Sequence, residues 1–404
     1  MDTIPKVVIT GLGIISSNSS PGKESFGEAI FRGISGIKPI ALFDTSEFKA
    51  KAAGEVNPFV PEDILGKAGL RTQDRSTKML SCAVRLSLDD AKLAINEENA
   101  RNIGIAVGNT LGSLQSICDF DRVALKEGPQ YVNPSLFPNT VINAQASQSA
   151  IRFNIKGFNA TISTGFTAGL DAVSYASNLI RLGRKKMVLA GGVEELSLQT
   201  FIGFYRAGCL AGLKDSSLEL SCPFDKRRNG IVLGEGSAIV VLEELSFALK
   251  RKAHIYAELK GFGACIDSNA QGIERAMRLA LERACMEARE IDFICAGANS
   301  GVQSDSFEAA AIKKVFGSRP VRVSALKSML GECYSASGAL QLVAAALSVE
   351  KGKIPPTINY CQKDPLCDLS VVASEAQSGK VNNVLINAFG PDGCNSSLII
   401  SRFS

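Results

Sequence analysis

The stretch ATISTGFTAGLDAVSYASNLI, Ala160 to Ile180, sets a β-rich run (Ala160, Thr161, Ile162, Ser163) against small residues and then an apolar helical face at Leu170, Val173, Ala176 and Ile180. Strand, tight turn and helix in this order have the form of a nucleophile elbow, which aims one side chain into a pocket and leaves backbone N–H groups of the helix start free for a developing anion. Here that side chain is Phe166. A phenyl ring has no lone pair to attack with and no proton to trade, so the usual chemistry of the turn is missing.

Outward from the elbow, strand-like apolar runs alternate with helical patterns: KVVITGLG, a long helical region to about Ala94, NIGIAVGN, ATISTG, KKMVLAGG and SAIVVLEE. That alternation predicts an α/β fold with both sheet faces covered. The second half repeats the plan in order. IYAELKGFG answers KVVITGLG, DFICAGANSG answers NIGIAVGNTLG, VRVSALKSMLGECYSASGALQLVAAAL answers the elbow and its helix, and VNNVLINAFG answers KKMVLAGGVEE. Two related halves about a pseudo-twofold axis are expected, residues 1–250 and 251–404, joined through the charged segment LSFALKRKAH. Gly128 to Asn143 and Leu213 to Gly236 read as longer loops.

Composition excludes several classes. Of 404 residues 46% are hydrophobic, enough for a large core, and 44 basic against 40 acidic side chains leave a net charge of +4, too balanced to argue for nucleic acid. The eleven cysteines are scattered, with no C-x-x-C pair, so neither a metal site nor a secreted disulfide framework is indicated, and a reducing, cytoplasmic location is expected. No apolar run is long enough for a membrane span. Arg181, Arg184, Lys185 and Lys186 form the most basic spot, a solvated helix end or a docking point for an acidic partner. His254, the one histidine, lies among charges and reads as a surface residue. GLGIIS, Gly11 to Ser16, lacks the third glycine of a dinucleotide fingerprint and reads instead as a strand ending in a tight glycine turn.

The segment CPFDKRRNGIVLGEGSAIVVLEE, Cys222 to Glu244, is a glycine-bearing loop feeding a strand, with Asp225, Arg227 and Arg228 able to form ion pairs. Together with VVITGLGIIS, the elbow, AGGVEE, DSFEAAAIKKVFG, KSMLGE, IPPTINY and NAFGPDGCNSSLII, it resembles the β-ketoacyl synthases over nearly the whole chain. The resemblance implies a thiolase-like fold in a layered αβαβα arrangement, an obligate dimer, and decarboxylative condensation of acyl and malonyl groups carried on acyl carrier protein. It implies no cofactor and no metal, the phosphopantetheine-bound chain arriving on the carrier. Active members have a cysteine in T-A-C and histidines in A-H-G-T-x-T and K-S-x-x-G-H. Those three positions carry Phe166, Gly297 and Glu332. Lys327, Asp305 and Glu308 match residues retained in active members and are expected to keep a buried polar network satisfied. The loop Gly390 to Asn395 has Pro391 and Asp392 where a gating phenyl is expected, and the chain between Gly263 and Gly272 is short.

These losses resemble the chain length factor, the ketosynthase β subunit of type II polyketide or polyene synthases. On that likeness the chain is expected to be no enzyme by itself. It would pair with an active ketosynthase α subunit and shape the tunnel that sets product length. Leu111, Leu136 and Phe204 match tunnel or interface positions, and Leu114, Cys118 and Phe120 continue the helix after Leu111. Two rivals stand beside this reading. One is a ketosynthase-fold enzyme with altered acyl-transfer or decarboxylase chemistry using Ser163, Thr164, Cys295 or Cys394, for which no base is evident. The other is a scaffold with no tunnel.

Overall fold

All ten residues of strand β1, Val7–Ser16, are buried. A continuous apolar run is what a strand covered on both faces requires. The computed structural model describes residues 4–213, 218–317 and 319–403. Among them, β1 lies inside a sheet with β2 (Ile103–Gly108), β3 (Asn159–Ile162), β4 (Met187–Glu194), β5 (Gly236–Glu244), β6 (Ala257–Ile266), β7 (Phe293–Cys295), β8 (Arg322–Ser324), β9 (Ser370–Val371), β10 (Asn383–Phe389) and β11 (Cys394–Ser401). Their spatial order is β9-β8-β7-β10-β11-β6-β1-β5-β4-β2-β3.

Apart from the edge strand β9, which has no counterpart, this order is symmetric about the β1–β6 junction. On one side β3 and β4 flank β2 in parallel, and β4, β5 and β1 follow antiparallel. On the other, β8 and β10 flank β7 in parallel, and β10, β11 and β6 follow antiparallel. The two five-strand sets meet only where Val7, Val8 and Ile9 pair with Leu259, Glu258 and Ala257. The four-element repeat read in the sequence is therefore present, with β5 and β11 as a fifth matching pair.

The helices sort into three layers by the cores they share. Helix α5 (Ala168–Arg181) and helix α10 (Ser335–Lys351) pack between the two strand sets in one core. Helices α2 (Arg75–Asp90) and α4 (Ala144–Arg152) cover the outer face of the first set. Helices α8 (Ala270–Ala284) and α9 (Val302–Phe316) cover that of the second. Layers αβαβα result, the thiolase-like arrangement. Leu170, Val173, Ala176 and Ile180, the helical face read from the sequence, are fully buried on α5. Each large side chain so buried contributes about 1.5–3 kcal/mol. Residues 335–349 of α10 are all buried, which suits a helix that packs against both strand sets.

Three expectations need correction. GLGIIS does not end in a glycine turn, because β1 runs through it to Ser16. Gly11 and Gly13 serve close packing: a Cβ on Gly13 would lie 1.8 Å from the Ala83 carbonyl oxygen, and one on Gly11 2.5 Å from that of Ser87. The long helical region to Ala94 breaks into helix α1 (Lys23–Phe31), a single turn at Glu62–Leu65 and α2, with mostly irregular chain between them where prolines and glycines cluster. Gly128 to Asn143 is no plain loop, since Pro129–Tyr131 and Pro134–Thr140 form 3₁₀ turns opened by those prolines. Leu213 to Gly236 forms no helix or long strand among its described residues, and 214–217 lie outside them. No helix among the described residues is long and apolar enough to cross a membrane.

Candidate functional site

The elbow forms as the sequence predicts. Strand β3 ends at Ile162, a short 3₁₀ turn covers Gly165–Thr167, and α5 begins at Ala168. Gly165 has φ +62°, a conformation that favours glycine, and the exposed Asp392 carboxylate lies over its α-carbon. Its carbonyl accepts the Thr110 hydroxyl at 2.7 Å. Phe166 is 7% exposed and stacks in an aromatic trio, 5.3 Å from the Tyr334 ring and 6.3 Å from that of Phe204.

The other two positions are filled differently. At Gly297 a Cβ would meet the Phe389 ring at 2.7 Å. Glu332 is fully buried, and its carboxylate accepts from Lys327 Nζ and Asn299 Nδ2 at 2.7 Å each, from the Ser337 hydroxyl at 2.7 Å and from the Tyr334 amide at 3.0 Å. Lys327 also donates to the Gly297 carbonyl at 2.9 Å. Glu308 accepts the amides of Gly297 and Ala298 and the side chain of Asn387, while Asp305 accepts the amides of Phe224, Asn299 and Ser300. Burial pushes Glu308 up to about 7 and Asp305 up to about 6. The network is thus one of satisfied hydrogen bonds around an ion pair. His254 is exposed, with its ring 3.0 Å from Glu350 and no hydrogen bond to this network.

A second cluster sits directly under the elbow. The Thr164 hydroxyl donates to Asp171 Oδ2, as does that of Thr167 at 2.8 Å, and Ser396 donates to Asp171 Oδ1 at 2.6 Å. Burial raises the Asp171 carboxyl above its ordinary range. Sequence reasoning found Thr164 but missed Asp171, which reads as an ordinary polar residue in the first turn of a helix. The cysteines are poor alternatives: burial pushes Cys295 up to about 12 and raises Cys394 as well, so both stay protonated.

The tunnel candidates fall in two places. Phe204, on helix α6 (Leu198–Arg206), is half-buried and joins Phe166. Leu111 is half-buried, its amide donating to Glu194 at 3.2 Å. Leu114, Cys118 and Phe120 lie on helix α3 (Leu114–Lys126), which buries none of its residues fully. Leu136 is 39% exposed beside Phe137, whose ring packs 6.0 Å from that of Phe120. With Leu125, Tyr131, Val141, Ile142, Ile151 and Tyr175 exposed as well, an apolar face lies next to the free edge of β3.

Two buried carboxyls hold the Leu111 segment. Glu194 accepts the amides of Thr110 and Leu111, and Glu195 accepts the Ser113 hydroxyl at 3.0 Å. Burial, followed by the charge of Asp74, pushes Glu195 from 4.5 up to about 8. A carboxyl raised in the folded state binds more protons there than when unfolded, so its contribution to stability is complete below 4.5 and lost as pH rises through about 8. Glu195→Gln is expected to flatten the fall of Tm across that window and to raise Tm at pH 8. Parallel melting curves from pH 5 to 8 check this; an unchanged slope would show that Glu195 is not the titrating group.

The β-ketoacyl synthase N-terminal domain model matches residues 5–248 and the C-terminal domain model residues 256–361. The chain belongs to the β-ketoacyl synthase family. Among curated relatives, "3-oxoacyl-[acyl-carrier-protein] synthase 2" of Coxiella burnetii is 36% identical and that of Synechocystis sp. 34%, each over 98% of both chains. Among solved structures, the ishigamide ketosynthase/chain length factor superposes with a TM-score of 0.92 at 36% identity, covering 100% of each chain. A type II polyketide synthase acyl carrier protein in complex with its hexaketide-bound ketosynthase gives 0.90 at 27% identity, covering 99% of this chain and 100% of that one. The curated relatives are named as synthases. The expectation of a non-catalytic chain length factor, no enzyme by itself, is overturned by them. The emptied positions at Phe166, Gly297 and Glu332 had suggested it, but loss of one set of reacting groups does not exclude another.

Proposed function

We propose that the chain is a β-ketoacyl-synthase-fold enzyme with altered acyl-transfer chemistry, acting on acyl groups delivered by acyl carrier protein. The observation that carries this reading is the Thr164–Asp171 hydrogen bond beneath the elbow, which supplies the base that the sequence left unidentified. Thr164 is half-buried, and burial raises the Asp171 carboxyl above its ordinary range, which makes its carboxylate a stronger proton acceptor. In the step, the Thr164 oxygen forms a C–O bond to the thioester carbonyl and the C–S bond breaks. The hydroxyl proton passes to Asp171 and on to the departing thiolate, leaving an acyl ester and a free thiol. The apolar face beside β3 fits a second subunit of the same family, which would close the open edge.

Intact mass spectrometry after incubation with an acyl carrier protein thioester tests this. An acyl adduct is expected on wild type, mapped to Thr164 and carried by a particle with the mass of two subunits. None should form on Thr164→Val, and Asp171→Asn should slow its formation by about 100-fold. Absence of an adduct on wild type, or its persistence on Thr164→Val, would sink the reading.

A further inference from the structure

The basic spot Arg184, Lys185 and Lys186 follows the C-terminus of α5 and borders a cavity of about 220 Å³. Cations at a helix end ordinarily serve the helix, by hydrogen bonding its last carbonyls. Here backbone amides already do so: the Asn178 carbonyl accepts from Leu182, that of Ile180 from Gly183, and that of Leu179 from both Arg184 and Lys185. Lys186 is paired with Glu244, while Lys185 lies over the Phe158 ring with its ammonium 3.4 Å from the Arg101 carbonyl. Arg184 is exposed and, among the described residues, has no ion-pair partner. Behind these cations the wall is largely apolar. Ile103 and Met187, which begin β2 and β4, are buried there beside half-buried Leu93, and Phe247 of the short helix Leu245–Lys250 is 38% exposed. Among the described residues no carboxylate lines the cavity. Strand β4 runs from Met187 here to Glu194 beside the elbow, roughly 25 Å for eight strand residues, so the two places are separate.

We propose that this cavity binds a small amphipathic carboxylate, its apolar body held between Leu93, Ile103, Met187 and Phe247 and its carboxylate held by Arg184 and Lys185. The site is independent of the acyl-transfer reading. Size sets the body: an apolar cavity of about 150 Å³ takes a benzene ring, so 220 Å³ takes a ring with a short linker. An aromatic body also packs against the exposed ring of Phe247. Charge sets the head, because the Arg184 guanidinium offers a planar fork that a carboxylate meets with two parallel hydrogen bonds.

The chain has no tryptophan, so Phe247→Trp places its only indole at the opening. The probe 3-phenylpropionate is titrated into this full-length variant, with the indole emission followed, and into wild type by calorimetry. A saturable response is expected in both. The alcohol 3-phenylpropanol, the same body without the charge, is expected to bind about tenfold more weakly, and Arg184→Gln to weaken 3-phenylpropionate about fivefold, the upper range for a partly exposed charge pair. Arg184 is exposed, so its replacement is not expected to disturb folding. No saturable binding to wild type would overturn the proposal, as would equal binding of the alcohol or an unchanged affinity in Arg184→Gln. Binding to wild type without an indole response would place the ligand elsewhere and overturn it as well. Tighter binding of an acidic peptide carrying one phenylalanine would overturn it in favour of a protein partner.

Discussion

Glu332→Leu is expected to destabilise the chain by about 3–5 kcal/mol, the range for removing one partner of a buried ion pair. Lys327 is only 3% exposed in its side chain and Glu332 is 0%, so no solvent stands ready to take up the orphaned ammonium. Four donors lose their acceptor together: Lys327 Nζ, Asn299 Nδ2, the Ser337 hydroxyl and the Tyr334 amide. The charge is the largest of these losses. Lys327→Met combined with Glu332→Leu should therefore be more stable than Glu332→Leu alone, although fewer native atoms remain. Urea denaturation of the two single variants and the double variant checks this. Equal stability of Glu332→Leu and the double variant would mean that the ammonium finds water on its own and that the pair is not closed.

Gly13→Ala is expected to cost about 3 kcal/mol or more, at the upper end of overpacking effects, or to prevent folding. The new methyl would stand 1.8 Å from the Ala83 carbonyl oxygen and 2.5 Å from the Ser87 amide nitrogen. Both are backbone atoms of α2, so relief requires the helix to move off β1 as a unit. Leu12 and Ile14 on either side are packed in the central core and hold the strand in place. Gly27→Ala is the matched comparison: its methyl would lie 3.6 Å from Leu347 Cδ1, an ordinary contact, within helix α1. That variant should be neutral or stabilised by up to about 1 kcal/mol, since alanine favours the helix. Denaturation midpoints for the two variants decide it, and a Gly13→Ala protein as stable as Gly27→Ala would refute the close-packing account.

Much of the architecture was legible because it rests on local patterns. The elbow could be read from a strand, small residues and a 3.6-residue apolar period, and α5 buries the face those residues named. The duplication could be read from four matched segments. The fifth pair, β5 with β11, was not matched, since apolar runs alone do not say which strand adjoins which. GLGIIS was misread for the same kind of reason. Glycine permits a turn and equally permits a helix to lie on a strand, and only α2 resting on Gly11 and Gly13 distinguishes the two.

The site divides along the same line. From the sequence alone came the absence of a thiol at Phe166 and of histidines at Gly297 and Glu332, because residue identity fixes which groups can attack or carry a proton. What stands in their place was a matter of three-dimensional contact. Asp171 faces Thr164 from the same helix start but is completed by Ser396, 225 positions away, and Glu332 meets Asn299 from 33 positions earlier. The basic spot at Arg184 was legible, but the cavity beside it was not, since Leu93, Ile103 and Phe247 come together only in the fold. The chain's chemistry-bearing groups are few and widely spaced. Sequence determines which of them exist, while packing of the two halves decides which become neighbours, because the strength of a hydrogen bond or ion pair depends on distance and burial and not on separation along the chain.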